Sequence, residues 1–250
     1  MTPVLELKGI AKSYGAVEAL KGVDLAVNAG DVLALCGDNG AGKSTLIKIV
    51  SGAQPPSAGT MLFKGRAVSF ASPHDALTQG IATIYQDLAI APRLSIAENV
   101  FLGAELVRSV PALPFVSLLD RRRMRAQAAD YLARLGVTIS DMRTPVERLS
   151  GGQRQAVAIS RALRWNAELI ILDEPTAALG VKETRAVLDL IRRLREEGHT
   201  IILISHNMAD VIAVATRVAI LKGGTKTADL PVQGLDADRL AHLVMTGLAA

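Results

Sequence analysis

The stretch Val32-Leu33-Ala34-Leu35-Cys36-Gly37-Asp38-Asn39-Gly40-Ala41-Gly42-Lys43-Ser44-Thr45-Leu46-Ile47-Lys48-Ile49 decides the fold. An apolar run of strand length ends at Gly37, a loop with the spacing G-x-x-x-x-G-K-[ST] runs to Ser44, and a helical pattern begins at Thr45. Glycines let the backbone wrap closely around oxygen atoms with its N–H groups turned inward, and the helix N-terminus adds partial positive charge. Lys43 would bring a full charge to the outer phosphates of a nucleotide, and Ser44 a hydroxyl to Mg²⁺. Gly37, Asp38, Asn39, Gly40, Ala41, Gly42, Lys43, Ser44 and Thr45 are therefore the expected nucleotide contacts. A glycine-rich surface turn with a solvated lysine would need neither the strand before it nor the helix after it.

Outward from this loop, short apolar runs alternate with longer helical patterns, as in parallel βαβ units. Residues 81–85, 169–172, 200–204 and 218–221 read as further strands. The runs at Leu169 and Thr200 are almost wholly apolar, as strands covered on both faces must be. Val187, Leu188, Ile191 and Leu194 recur at helical spacing between them, which predicts a crossover helix. Ahead of the loop, residues 4–7 and 19–27 alternate or are β-branched, and an antiparallel β-layer fits them. Between Asp87 and Arg148 no strand is expected: Pro111 and Pro114 punctuate a loop, and residues 96–102 and 121–135 read as helices.

Composition bounds the class. At 250 residues, half of them apolar, the chain suits one large α/β domain carrying a smaller insertion. The formal charge of +4 fits nucleic acid, an acidic membrane surface or an ordinary basic protein, and Arg121-Arg122-Arg123 with Arg125 is the one dense basic run. Aromatic residues make up 3%, too few for a base-stacking platform, and nucleic acid is not an expected partner. The single cysteine, Cys36, excludes an internal disulfide and reads as a small buried residue. The start of the chain, with Glu6 and Lys8, predicts no signal peptide, and no apolar segment approaches the ~20 residues of a membrane helix.

Two further motifs carry chemistry. Leu169-Ile170-Ile171-Leu172-Asp173-Glu174 is an apolar strand ending in two carboxylates at the sheet edge where the phosphate loop also lies. Asp173 there would hold Mg²⁺, and Glu174 would orient or deprotonate an attacking water. Leu149-Ser150-Gly151-Gly152-Gln153 opens a long helical pattern with Ser150 placed as N-cap, and its glycines leave a second concave row of N–H groups. Capping alone would need neither the double glycine nor an exposed Gln153.

With these residues in order, the chain resembles the nucleotide-binding subunits of ABC (ATP-binding cassette) proteins. Leu149 to Gln153 is similar to the family's signature motif, between a Walker A loop at Gly37 to Ser44 and a Walker B strand at Leu169 to Glu174. The resemblance runs from about Leu5 to Leu221 and implies a P-loop α/β fold: a mostly parallel core sheet, an N-terminal antiparallel β-layer and a helical subdomain at about residues 87–160. A C-terminal strand and helix would occupy about 225–250. The resemblance also implies roles that local reading leaves open. Tyr14 would stack on adenine, Gln86 would contact Mg²⁺ and relay a signal, and His206 would touch the γ-phosphate. Read alone, Tyr14 is equally a half-exposed loop aromatic, and His206 a strand-end histidine bonded to backbone.

In this family two cassettes meet head to tail, and ATP lies between the phosphate loop of one and Ser150, Gly151, Gly152 and Gln153 of the other. The implied partners are a second copy or a homologous cassette, transmembrane permease subunits docked on the helical subdomain and, indirectly, a periplasmic or extracellular solute-binding protein. The implied place is peripheral, at the cytoplasmic face of the cell membrane. Residues 37–43, 94–103 and 173–179 look most like bacterial importers of simple sugars, in the branch with a single cassette per chain. One position departs from the pattern: Gly180 stands where the family commonly has an aspartate. Another solute, an exporter, or a soluble cassette ATPase acting on nucleic acid or ribosomes are the alternatives, though the last usually carries long coiled coils or paired cassettes.

Overall fold

The computed structural model describes residues 2–110 and 113–247. The chain opens with a long antiparallel pair, β1 (Leu5–Tyr14) and β2 (Val17–Val27), registered with Leu5 opposite Val27 and Tyr14 opposite Val17. Strand β3 (Val32–Cys36) leads through the glycine loop into helix α1 (Lys43–Val50). Next come β4 (Ala58–Phe63), β5 (Arg66–Val68), α2 (Pro73–Thr78) and β6 (Ile81–Ile84). Helix α2 starts as its sequence dictates, with Ser72 accepting from the Asp75 N–H and Pro73 in the first turn, where its missing N–H costs nothing.

Helix α3 (Ile96–Val100), strands β7 (Val107–Val110) and β8 (Leu113–Leu119), and helices α4 (Arg121–Arg134) and α5 (Gly151–Arg164) follow. The chain then returns to strand β9 (Leu169–Asp173), helix α6 (Val181–Glu196), strand β10 (Thr200–Ile204), helix α7 (Met208–Val214), the antiparallel pair β11 (Arg217–Lys222) and β12 (Thr225–Pro231), and helix α8 (Ala237–Thr246).

These elements group into two compact units, one of residues 1–86, 167–177 and 194–250, the other of residues 87–166 and 178–193. The first contains a six-stranded sheet in the order β12-β11-β3-β10-β9-β6, parallel except for β12, and a four-stranded antiparallel sheet in the order β2-β1-β4-β5. Every residue of β3 and β10 is buried, which explains why β3 reads as an unbroken apolar run and β10 as one broken only by Thr200. The two-residue period of a strand sorts β3 and β11 onto two cores. Leu33, Leu35, Ala219 and Leu221 join Leu46, Ile47 and Ile49 of α1 and the apolar face of the antiparallel sheet. Ala34, Cys36, Val218 and Ile220 face Val211 of α7 and Leu240 and Leu243 of α8 instead. The phosphate loop is thus suspended from a strand fixed on both faces.

In the second unit, helices α3, α4 and α5 bury Ile96, Val100, Met124, Ala128, Leu132 and Ile159. Asn99, 1% exposed, accepts from the Ala91 N–H at 2.8 Å and donates to the carbonyls of Ala91, Leu94 and Ser95, tying the incoming loop to α3.

The absence of strands expected between Asp87 and Arg148 is corrected by β7 and β8, which pair antiparallel with Val107 opposite Leu119 and Ser109 opposite Ser117. The ribbon leaves Val107, Leu118 and Leu119 exposed, so at these described positions no alternation of burial marks a strand in sequence. Pro114 falls inside β8, and the loop expected at Pro111 lies outside the described residues. Strands β4 and β5 were also unforeseen, because Ala58-Gly59-Thr60 is exposed and poor in β-formers.

Candidate nucleotide-binding site

Two glycines set the shape of the phosphate loop. Gly37 has φ +150°, and a Cβ there would stand 2.2 Å from the Leu221 carbonyl oxygen. Gly42 has φ +106°, and a Cβ would meet the Ala19 carbonyl oxygen at 2.8 Å and Leu20 Cδ2 at 2.7 Å. Both positions exclude any side chain, first by overlap with backbone and then by dihedral strain. Lys43, the first residue of α1, is buried and turns back on its own loop, donating to the carbonyls of Gly37 at 2.5 Å and Asp38 at 3.0 Å. Burial holds its ammonium below the usual lysine range, although Glu174 and Asp173 pull the other way.

A cavity of about 670 Å³ opens over this loop. Asn39 through Thr45 form its floor, and Gln86, Asp173, Glu174 and His206 stand around it. Most of the sequence-derived candidates therefore converge on one space within the first unit. Asp173 ends β9 and Glu174 follows it, and burial raises both carboxyls above the ordinary range, with Lys43 and His206 only partly offsetting the effect. Glu174 has φ +52°, an uncommon conformation for a glutamate, and its N–H donates to the Ile204 carbonyl at 3.0 Å. One carboxylate oxygen, Oε2, accepts from the His206 N–H at 3.4 Å. The other, Oε1, lies 3.4 Å from His206 Nε2, yet it is shielded and lacks the alignment of a hydrogen bond. Cys36, the buried last residue of β3, has its thiol pushed up to about 12 by burial, which makes it chemically inert.

Ser44, Gln86 and Asp173 offer a hydroxyl, an amide oxygen and a carboxylate to the same cavity. Such hard oxygen donors, few in number and beside a phosphate site, fit Mg²⁺, which keeps several waters and takes the rest of its shell from the nucleotide.

Tyr14 stands outside the cavity lining, 48% exposed, its hydroxyl donating to Gln54 Oε1 at 2.6 Å. Gln54 in turn donates to the Thr45 carbonyl, and Val17, Glu18 and Ala19 just beyond Tyr14 do line the cavity. The ring is thereby held at the rim with Lys12 Nζ 5.6 Å from its centroid.

Sequence reasoning missed one buried polar link. Asp210, 7% exposed, accepts from Thr176 Oγ1 at 2.7 Å and so ties the turn after Glu174 to α7, the helix that follows His206. Nothing in the spacing of Thr176 and Asp210 announces a pair 34 residues apart.

Ser150, Gly151, Gly152 and Gln153 belong to the second unit, where they form the N-terminus of α5. Ser150 Oγ accepts from the Gln153 N–H at 3.4 Å, and Gln153 Oε1 accepts from the Ser150 N–H at 3.0 Å. This reciprocal capping box corrects the argument that capping has no need of Gln153, and the S-x-x-Q spacing was its signal. The double glycine remains unexplained by capping. A Cβ on Gly151 would lie 2.4 Å from Leu179 Cδ2, so that glycine lets residues 179–183 sit against the helix start.

The family model for ABC transporters matches residues 20–177. A xylose/arabinose import ATP-binding protein of Sulfolobus acidocaldarius is 46% identical over 224 residues, covering 90% of this chain and 86% of that protein. A fructose import ATP-binding protein of Rhizobium meliloti is 47% identical over 225 residues, with the same coverage of 90% and 86%. A ribose import ATP-binding protein of Escherichia coli O157:H7 is 43% identical across 98% of this chain, which spans 47% of that relative's length. Among solved structures, a nucleotide-free cassette from an ABC transporter superposes with a TM-score of 0.80 at 24% identity, covering 98% of this chain and 96% of that one. A bacterial ABC transporter cassette solved as a dimer gives a TM-score of 0.74 at 26% identity, covering 92% and 100%.

Proposed function

Because the chain belongs to the ABC transporter family, we propose that it hydrolyses ATP to drive import of a monosaccharide through a partner permease. ATP binding and hydrolysis come with the family. The monosaccharide rests on the relatives, whose names specify xylose/arabinose, fructose and ribose import. The observation that carries the chemistry is the convergence of Lys43, Asp173, Glu174 and His206 on one cavity above a loop that tolerates no side chain at Gly37 or Gly42.

The mechanism follows from the charges. Phosphate oxygens replace the Gly37 and Asp38 carbonyls as acceptors for Lys43, moving that cation from loop brace to phosphate ligand. Backbone N–H groups of the loop and of the first turn of α1, apart from that of Ala41, which donates to the Asp38 carbonyl at 3.1 Å, take up the remaining phosphate charge. Ser44, Gln86 and Asp173 would hold Mg²⁺, which neutralises charge on the β- and γ-oxygens when bound. Glu174 orients the attacking water and takes its proton, a role that suits a carboxyl whose affinity for protons burial has increased. His206, beside it, addresses the γ-phosphate, and Tyr14 with the β1–β2 turn receives the base.

Ser150 to Gln153 serve the nucleotide of a second chain, either another copy or a homologous cassette, so that ATP closes the pair and hydrolysis releases it. The helical unit, approximately residues 87–160 with the β7–β8 ribbon, receives the permease, while the C-terminal segment proposed at about 225–250 contributes β12 and α8 to the other unit. Among the described residues no helix is long and apolar enough to cross a membrane. The chain works peripherally at the cytoplasmic face, with a solute-binding protein delivering cargo from the other side.

The test is uptake of radiolabelled monosaccharides in cells lacking this chain. Uptake of at least one pentose or hexose should fall and return with the wild-type chain but not with Glu174→Gln. Uptake undiminished across the panel would overturn the sugar assignment.

A further inference from the structure

Glu183, in the first turn of α6, has one carboxylate on two helix starts. Oε2 accepts from the Gly180 N–H at 3.2 Å, closing the first turn of its own helix in the manner of a capping-box glutamate. Oε1 reaches 32 residues back and accepts from the N–H of Gly151, the first residue of α5, at 3.1 Å. The same stretch of chain packs on the glycine pair. Leu179 Cδ2 occupies the space a Gly151 side chain would need, and the Glu183 carbonyl oxygen and Ala186 Cβ lie 3.6 and 3.7 Å from a Cβ built on Gly152.

Counting the first-turn donors of α5 shows what this achieves. The Gly151 N–H is committed to Glu183 and the Gln153 N–H to Ser150 Oγ. Among the described contacts the Gly152 N–H has no acceptor, and Ser150 Oγ, while accepting, still carries a proton of its own to give. The helix start is thereby left with one free N–H and one hydroxyl side by side, in a loop pinned from behind.

Resting on the reading of Ser150 to Gln153 as the half-site for a second chain's ATP, we infer that Glu183 is the positioning residue of that half-site. It fixes the rotation of the Gly151-Gly152 pair so that Gly152 N–H and Ser150 Oγ point outward together, and it joins that loop to the start of α6 at Gly180. Its two-oxygen reach is what matters: a glutamine keeps one acceptor and one helix start, and an alanine keeps neither.

The experiment measures ATP-driven dimerisation of the full chain carrying Glu174→Gln, with and without Glu183→Ala or Glu183→Gln, by sedimentation, alongside ATP affinity of the monomer. Monomer affinity should stay within about twofold, since the phosphate loop lies in the other half-site. Dimerisation should weaken by roughly tenfold or more with Glu183→Ala, the loss expected for two charge-assisted hydrogen bonds, and by less with Glu183→Gln. If Glu174→Gln alone fails to dimerise, the shared-site reading falls and the inference with it. If Glu174→Gln dimerises and Glu183→Ala does so equally well, or only lowers the melting temperature, Glu183 is a local helix cap and the inference alone is overturned.

Discussion

His206 Nε2 lies 3.4 Å from Glu174 Oε1, while the His206 backbone N–H donates to Oε2 of the same carboxylate. The strand end at Ile204 and the turn after Asp173 are thus locked to each other through the one side chain proposed to activate water. Replacing Glu174 by Gln preserves the shape and the backbone contact but removes the proton acceptor. Turnover should fall by about 10²–10⁴-fold with nucleotide affinity retained, as expected for loss of a general base. A steady-state ATPase assay paired with a nucleotide titration decides it, and near-normal turnover would assign the role elsewhere.

The same carboxyl makes stability depend on pH. Burial raises its proton affinity in the folded chain above the ordinary value of 4.5, and Asp173 is shifted the same way. Below that ordinary value both folded and unfolded chains are protonated and nothing is lost; once pH passes the folded value, the penalty of a buried charge is present in full. Glu174→Gln should therefore melt higher than wild type at about pH 8, with the gain shrinking as pH is lowered toward 4.5. Melting curves that differ by a constant amount across this range would contradict the shift.

Lys43 donates to the carbonyls of Gly37 and Asp38. Lys43→Ala removes both a phosphate contact and this brace. One charge-assisted bond contributes about 1.5–3 kcal/mol, so ATP should bind roughly ten- to a hundredfold more weakly. Calorimetric titration reads this directly, and unchanged affinity would remove Lys43 from the phosphate site.

Thr176 and Asp210 offer a test away from the reacting atoms. Thr176→Val keeps the shape and leaves a buried Asp210 oxygen without its donor, costing about 1–3 kcal/mol of stability, whereas Thr176→Ser keeps the hydroxyl and most of the stability. For a chain of this size each kcal/mol moves Tm by roughly 2–4 °C. Equal melting temperatures for the valine and serine variants would show that the 2.7 Å bond contributes nothing.

What could be read from sequence was what local chemistry dictates. The loop from Gly37 to Ser44, the Asp173-Glu174 pair and the buried strands each state their role within a few residues, because phosphate binding and two-faced burial both impose short patterns. Glu183 and the Thr176–Asp210 link were illegible because each depends on two segments more than 30 residues apart being folded together. The β7–β8 ribbon was missed for the opposite reason: at Val107, Leu118 and Leu119 it leaves apolar residues exposed, so these positions impress no period of burial on the sequence. Gln153 lies between these cases, since S-x-x-Q is a readable capping-box spacing that by itself does not separate capping from a functional role.

If each ATP is completed by two chains, two inactive variants with complementary defects rebuild a working site when mixed. Lys43→Ala disables the phosphate loop, and Gly152→Asp places an anion where the signature loop should meet phosphate. Neither homodimer retains an intact site, but a mixed dimer pairs the normal phosphate loop of one chain with the normal signature loop of the other. The mixture should regain ATPase activity, up to about a quarter of wild type for random pairing of independent sites. A mixture as inactive as its two components, under conditions where mixed dimers form, would contradict a site completed by two chains.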